Sequence, residues 1–192
     1  MKKVGLFFGS FNPIHIGHMI IASFIADNTD LKEIWFVVSP HNPLKQKKSL
    51  LKDHHRLQLV VRAVENDPRF KASDIEFHLE QPSYTTNTLA HLKEKYPKTE
   101  FTLLMGGDNL ASLHRWKNYE AILENYAIVV YSRPTHDVSE VIDNGNITVL
   151  DAPQMNISSS HIRRSIAEGK NVKYLMPTEA WQYLDEMNFY RF

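Results

Sequence analysis

Five short apolar runs punctuate this chain, and the segments between them carry apolar residues at helical spacing. Residues 4–8 open with valine and are the length of a buried strand. Gly9 and Ser10 end that run, Asn12-Pro13 forces a turn, and Gly17 opens a helix. Along it Met19, Ile20, Ala22, Ile25 and Ala26 recur until Asp27-Asn28. Residues 33–38 include Ile34, Trp35, Phe36, Val37 and Val38, the near-continuous run of a strand covered on both faces in a parallel sheet. Strand, helix, strand by residue 38 is a βαβ unit. Residues 39–52 read as a polar loop, and 53–65 as a helix with Leu57, Val60, Val61 and Val64 on one stripe. Residues 70–79 are ambiguous, with a short strand expected near Ile75.

Farther on, Thr86 or Thr88 is expected to cap a helix carrying Leu89, Leu92 and Tyr96 and halted by Pro97. Residues 100–105 form another buried-type strand, running straight into Gly106-Gly107-Asp108. A helix is expected next, then Trp116, then a helix with Tyr119, Ile122 and Leu123. Strands follow at 126–131 and 147–150, with Arg133-Pro134 just past the first of them. A serine-led helix at 158–168 ends before Gly169, and a closing helix at 178–188 carries Trp181, Leu184 and Met187. Alternation of this kind specifies an α/β, three-layer, doubly wound fold around a mainly parallel sheet. Such folds bind ligands beyond the carboxyl ends of their strands. His15, His18, Lys45, Asp108, Arg133 and the serines at 158–160 all fall there.

Composition narrows the picture. At 192 residues a single domain spanning 1–192 is the simplest expectation, large enough to bury a core unaided. Formal net charge is zero, which gives no reason to expect nucleic acid or an anionic membrane as a partner. The absence of cysteine removes disulfides, thiolate catalysis and thiolate zinc sites together. With no signal-peptide plan at the start, a soluble, cytoplasmic protein is expected.

Chemistry gathers in two segments. In residues 9–18, Gly-Ser-Phe-Asn-Pro-Ile-His-Ile-Gly-His, the strand–turn–helix pattern aims free backbone N–H groups at an anion. His15 and His18, three residues apart, flank that helix start. Imidazole donors beside a positive helix end suit phosphate oxygens whose charge grows during a reaction. As metal ligands the two histidines lack a companion cluster, and the bland alternative makes them capping or core residues. The second segment, residues 157–163, is Ile-Ser-Ser-Ser-His-Ile-Arg. Helix capping accounts for one serine, but not for three with Arg163 a turn further on. Neither GxGxxG nor GxxxxGK[ST] occurs, which argues against a standard dinucleotide site and a P-loop.

These two segments resemble the HxGH and SSxxIR-type signatures of the nucleotidyltransferase superfamily. Ser83-Tyr84-Thr85-Thr86-Asn87-Thr88-Leu89, Gly106-Gly107-Asp108-Asn109-Leu110, Trp116 and Arg133-Pro134 extend the likeness to the bacterial nicotinate-nucleotide adenylyltransferase branch, over nearly the whole chain. Three departures stand out: Ser10 and Asn12 replace the more usual threonine and aspartate, and Gly107 replaces a frequent alanine. Asn12 removes a charge expected near the triphosphate. The resemblance implies a Rossmann-like nucleotidyltransferase fold, with the helical part at about 158–192 completing the ATP site. It implies His15, His18 and Arg163 as catalytic, and Gly9, Ser10, Phe11, Gly106, Asp108, Arg133, Ser158 and Ser159 as further ATP-binding residues. Lys45, Thr85 and Trp116 would hold the mononucleotide, with Trp116 stacking on the pyridine ring.

The implied substrates are ATP, accompanied by Mg2+, and nicotinate mononucleotide; a homo-oligomer is compatible with the sequence. No protein ligand to the metal is assigned. Rival acceptors are nicotinamide mononucleotide, phosphopantetheine and glycerol phosphate. Class I aminoacyl-tRNA synthetases share the His-Ile-Gly-His letters but need a KMSKS-type loop and added domains that this chain does not show. A nucleotide-sensing domain is the non-enzyme alternative.

Overall fold

Alternate residues of each central strand feed two separate cores, and this layering sets the architecture. Leu6, Leu103 and Val130 pack with Leu89, Leu92, Leu110 and Ile122 on one face of the sheet. Their neighbours Phe7, Leu104 and Val129 pack with Ile25, Leu59, Val60, Ile162 and Leu184 on the other. Two apolar faces on one strand require helices on both sides, and that produces three layers. The computed structural model describes residues 1–40, 50–131, 146–153 and 155–191.

Among the described residues six parallel strands make the sheet: β1 (Lys2–Gly9), β2 (Glu33–Val38), β3 (Phe70–Ser73), β4 (Thr99–Gly106), β5 (Ala127–Tyr131) and β6 (Ile147–Leu150). Their order is β3-β2-β1-β4-β5-β6, so β1 and β4 lie side by side at the centre. The helices are α1 (Ile16–Asn28), α2 (Asp53–Val64), α3 (Thr85–Lys95), α4 (Gly107–Ala111), α5 (Tyr119–Asn125), α6 (Ser159–Ala167) and α7 (Thr178–Glu186). Helices α1, α2, α6 and α7 cover one face, and α3, α4 and α5 the other. Winding therefore reverses between β1 and β4, which opens a crevice at their carboxyl ends. Phe7 pairs with Leu104, so Gly9 and Gly106 lie at the same level two residues on, at the lip of that crevice.

Three expectations need correction. Ile75 is in a 3-10 turn, Ile75–His78, and the strand precedes it at Phe70–Ser73. Neither Thr86 nor Thr88 caps α3: the cap position is Tyr84, and Thr88 instead donates to the buried Glu76 carboxyl at 2.7 Å. On α2 the buried face is Arg56, Leu59, Val60 and Val64, with Leu57 and Val61 only half-buried. A buried arginine had turned the stripe by about one residue.

Glu33 ties the amino ends of three strands together. Its carboxylate accepts from Lys2 Nζ at 2.7 Å, Lys71 Nζ at 3.0 Å and Trp35 Nε1 at 2.9 Å. Partial burial alone would raise its pKa, but these three partners outweigh burial and hold it down at about 2, from an ordinary 4.5. A depressed carboxylate stabilises the fold above its unfolded pKa and loses that contribution as pH falls towards the folded value. Between pH 5 and pH 2 the wild type should lose up to about 3 kcal/mol that Glu33→Gln does not lose, at 1.36 kcal/mol per pKa unit. Urea unfolding at a series of pH values measures it, and parallel acid profiles for the two proteins would refute it.

Candidate active site

His15 and His18 are delivered by the turn that joins β1 to α1. Phe11 in that turn has φ +43°, a left-handed conformation, and its ring lies over Gly9, where a Cβ would come within 2.9 Å of it. Phe11 is 2% exposed, so its side chain belongs to the core. His15 occupies the cap position of α1 and is buried. Its ring stacks on that of His18 at 3.7 Å between centroids. The glycine between them leaves room for that ring: a Cβ on Gly17 would lie 3.1 Å from His15 Nδ1, a tight contact.

The His18 ring is held edge-on to Phe11 and Phe7, at 5.2 and 6.0 Å. The backbone N–H of His15 donates to His18 Nδ1 at 3.2 Å. An Nδ1 that accepts leaves the proton of the neutral ring on Nε2, so His18 is set up as an Nε2–H donor.

The start of α6 meets the same turn across 146 residues of sequence. Ser159 Oγ donates to the Pro13 carbonyl at 2.8 Å, and Arg163 Nη1 donates to the Asn12 carbonyl at 2.7 Å. All three serines have distinct work. Ser158 caps α6 by accepting from the His161 N–H at 3.1 Å, Ser159 ties the helix to the turn, and Ser160 Oγ accepts from Arg163 Nη2 at 3.2 Å. A hydroxyl that accepts as a cap keeps its own O–H to donate.

Asn12 does not put a side chain where a triphosphate charge was expected. It is 3% exposed, and its Oδ1 accepts from Tyr190 Oη at 2.6 Å and from the Leu51 N–H at 3.1 Å. This residue fastens the turn to the end of the chain. Burial raises the Tyr190 phenol's pKa, with Arg163 and Arg56 pulling the other way.

Across the crevice, Asp108 stands in the first turn of α4, where a carboxylate complements the positive helix end. Gly106 gives it room, since a Cβ there would lie 2.5 Å from Asp108 Oδ1. Thr85 is the first residue of α3, and Trp116 follows the short turn after α4. Their neighbours join the two segments. Thr86 Oγ1 donates to the Lys117 carbonyl at 2.7 Å, and Lys117 Nζ lies 4.5 Å from the Tyr84 ring centroid. Trp116 is half-buried and rests partly on the core, with the rest of its surface exposed. Lys45 and Arg133 lie outside the described residues.

Two residues that shape this site escaped the sequence. Arg56 is fully buried and donates to the carbonyls of Ser10 (2.7 Å), Ser39 (2.8 Å), Leu51 (3.0 Å) and Pro40 (3.4 Å) and to Asp53 Oδ1 (2.6 Å). Glu76, 2% exposed, receives the hydroxyls of Ser39, Thr88 and Ser83; burial raises its pKa and those hydroxyls lower it. For Arg56 a signal existed, because it precedes Leu59 and Val60 at helical spacing on the apolar face of α2.

Comparison with known proteins places the chain in a family. Residues 6–165 match the cytidylyltransferase-like family model. A Flavobacterium psychrophilum protein described as a "probable nicotinate-nucleotide adenylyltransferase" is 54% identical over 191 residues, covering 98% of this chain and 99% of that one. A Christiangramia forsetii protein of the same description is 55% identical, covering 99% of each. In fold, the chain matches the solved Plasmodium falciparum nicotinic acid mononucleotide adenylyltransferase in complex with NaAD, with a TM-score of 0.84 over 99% of this chain and 98% of that one, at 22% identity. Among the described residues no helix is long and apolar enough to cross a membrane. The doubly wound sheet, the paired histidines at one helix start and the extent of these likenesses show that the chain belongs to the nicotinate-nucleotide adenylyltransferase family of nucleotidyltransferases.

Proposed function

We propose that this chain transfers the adenylyl group of ATP to nicotinate mononucleotide, giving nicotinate adenine dinucleotide and pyrophosphate, in the cytoplasm. The observation that carries the reading is the convergence of two helix starts, α1 with His15 and His18 and α6 with Ser158, Ser159 and Arg163. Hydrogen bonds from Ser159 and Arg163 lock them onto one turn. Two sets of N–H groups, two imidazoles and a guanidinium in one crevice suit a triphosphate better than a single phosphate.

The reaction needs no general base. A phosphate oxygen of the mononucleotide, already ionised at neutral pH, attacks the α-phosphorus of ATP; the bond to the β-phosphate oxygen breaks and pyrophosphate leaves. The difficulty is to bring two polyanions into line and to neutralise the charge that grows on the leaving oxygens. In this reading His18 Nε2–H and Arg163 donate to those oxygens. His15 holds the His18 ring in place and adds a second imidazole, and the Gly9–Ser10–Phe11 backbone lines the triphosphate. Gly106 and Asp108 line the nucleotide side of the crevice, with Arg133 and Lys45 assigned by family resemblance to ATP and to the mononucleotide phosphate.

Among the described residues no group of three or more His, Cys, Asp or Glu side chains could hold a metal ion. By the family resemblance a divalent ion, Mg2+, would enter on the ATP oxygens, as MgATP. Once bound it would neutralise phosphate charge and polarise the phosphorus.

The acceptor half is supported by α3. Its cap residue, Tyr84, makes no side-chain hydrogen bond to the helix, so the first-turn N–H groups beside Thr85 can receive an anion such as a ring carboxylate. Trp116 supplies a flat apolar face for the pyridine. Pyrophosphate release from MgATP should be fastest with nicotinate mononucleotide, at least about tenfold (1.4 kcal/mol) above nicotinamide mononucleotide, with phosphopantetheine inert. Release with phosphopantetheine alone, or with no acceptor, would overturn the reading.

A further inference from the structure

Glu76 occupies the 3-10 turn between β3 and α3, away from any assigned contact with either substrate, and is 2% exposed. The three hydroxyls bonded to it come from two segments, one after β2 and one at the start of α3. Ser39 follows the last residue of β2, Ser83 lies in the approach to α3, and Thr88 in its first turn, where it also donates to the Tyr84 carbonyl at 3.3 Å. Ser39 is fixed through every polar group it has. Its N–H donates to the Gly9 carbonyl at 2.9 Å, its carbonyl accepts from Arg56 Nη1 at 2.8 Å, and its hydroxyl goes to Glu76. The same Arg56 nitrogen reaches the Ser10 carbonyl at 2.7 Å.

An unbroken line of polar groups therefore runs beneath the crevice. It starts at Gly9–Ser10, passes through Arg56, Ser39 and Glu76, and ends at the start of α3, next to Thr85. A carboxylate only accepts, so it suits three hydroxyl donors; an amide would set an NH2 group among them, and an apolar side chain would leave all three unanswered. Burying a carboxyl is unfavourable unless such partners surround it.

We propose that Glu76 is a positioning residue for the acceptor substrate: by gathering Ser39, Ser83 and Thr88 it fixes the start of α3, and with it the pyridine subsite, at a set distance from the loop that holds ATP. This inference rests on the function proposed above. Glu76 touches neither substrate and acts through the segments it joins.

The test is steady-state kinetics on Glu76→Gln, which keeps the shape but not the three acceptor contacts. Each protein is assayed at the same interval below its own Tm, so that a loss of fold does not enter. The expected result is a KM for nicotinate mononucleotide raised about tenfold, with the KM for ATP within about twofold of wild type. A purely structural carboxyl would lower Tm and leave the two constants unchanged or raised in equal proportion, and that result overturns the proposal. Should Glu76→Gln not fold, Ser39→Ala and Thr88→Val each remove one donor and must each raise the mononucleotide KM selectively; unchanged constants in both also overturn it. Wild-type turnover with unaffected variants sinks this inference alone, whereas a wild type inert with every acceptor sinks the proposed function and this inference with it.

Discussion

Replacing His18 by alanine should lower kcat about 100- to 1000-fold while leaving the KM for nicotinate mononucleotide within a few-fold of wild type. That is the usual consequence of removing one donor aimed at charge that develops in the transition state. The asymmetry follows from the ring's two nitrogens. Nδ1 is engaged by the His15 N–H at 3.2 Å, which is a structural bond at the start of α1. In the proposed mechanism Nε2 carries the proton offered to the leaving phosphate oxygens.

Two amides separate these jobs. His18→Asn places a polar atom near the Nδ1 position and should keep the helix start intact, with turnover as low as in the alanine variant. His18→Gln reaches the Nε2 position with an N–H donor and should recover at least about tenfold of the lost kcat. Lost packing against His15, Phe7 and Phe11 affects all three variants and shows in Tm, not in the difference between Asn and Gln. Single-turnover pyrophosphate release measures the chemical step. Near-normal turnover in His18→Ala would remove this side chain from the reaction.

How much of this was readable beforehand depended on what each residue's neighbours are in sequence. β2 is Glu33–Val38, the span its apolar run marks, because a strand covered on both faces advertises itself residue by residue. The turn at residues 9–18 was also legible, since Gly9, Gly17 and Pro13 are punctuation whose meaning is local. Shared chemistry points to a contact between that turn and α6, and Ser159 and Arg163 make it.

Partners supplied by distant segments were not legible. Ile75 looks like strand from its apolar neighbours, yet β3 has already ended at Ser73 and the chain turns to bring Glu76 under Ser39. Asn12 looks like a cleft residue beside two histidines, but Tyr190, 178 positions away, claims its oxygen. A lone arginine in a helix is ordinarily solvated, and the carbonyls of two other loops, with Leu51 and Asp53, make burial of Arg56 tolerable.

That last residue should have the largest single effect on stability. Arg56→Met fills a similar volume and removes the guanidinium, leaving the carbonyls of Ser10, Ser39 and Leu51 without its donors at 2.7, 2.8 and 3.0 Å. Buried acceptors stranded in this way cost about 1–3 kcal/mol each. Asp53 suffers less, because its side chain is 45% exposed and water replaces the lost partner. The balance is a loss of about 3–5 kcal/mol in urea unfolding at neutral pH, a large share of a typical domain's 5–15 kcal/mol.

Arg56→Lys should recover less than half of it, since one ammonium on a flexible stem does not span a set of carbonyls that a planar fork bridges. Because Ser10 belongs to the loop assigned to ATP and Ser39 leads towards the start of α3, KM should rise for both substrates. Loss of Glu76 is expected to affect the mononucleotide alone, so the two variants differ in kind. A loss below about 1 kcal/mol for Arg56→Met would show that the loops hold their places without it, and that the line of polar groups beneath the crevice begins at Ser39.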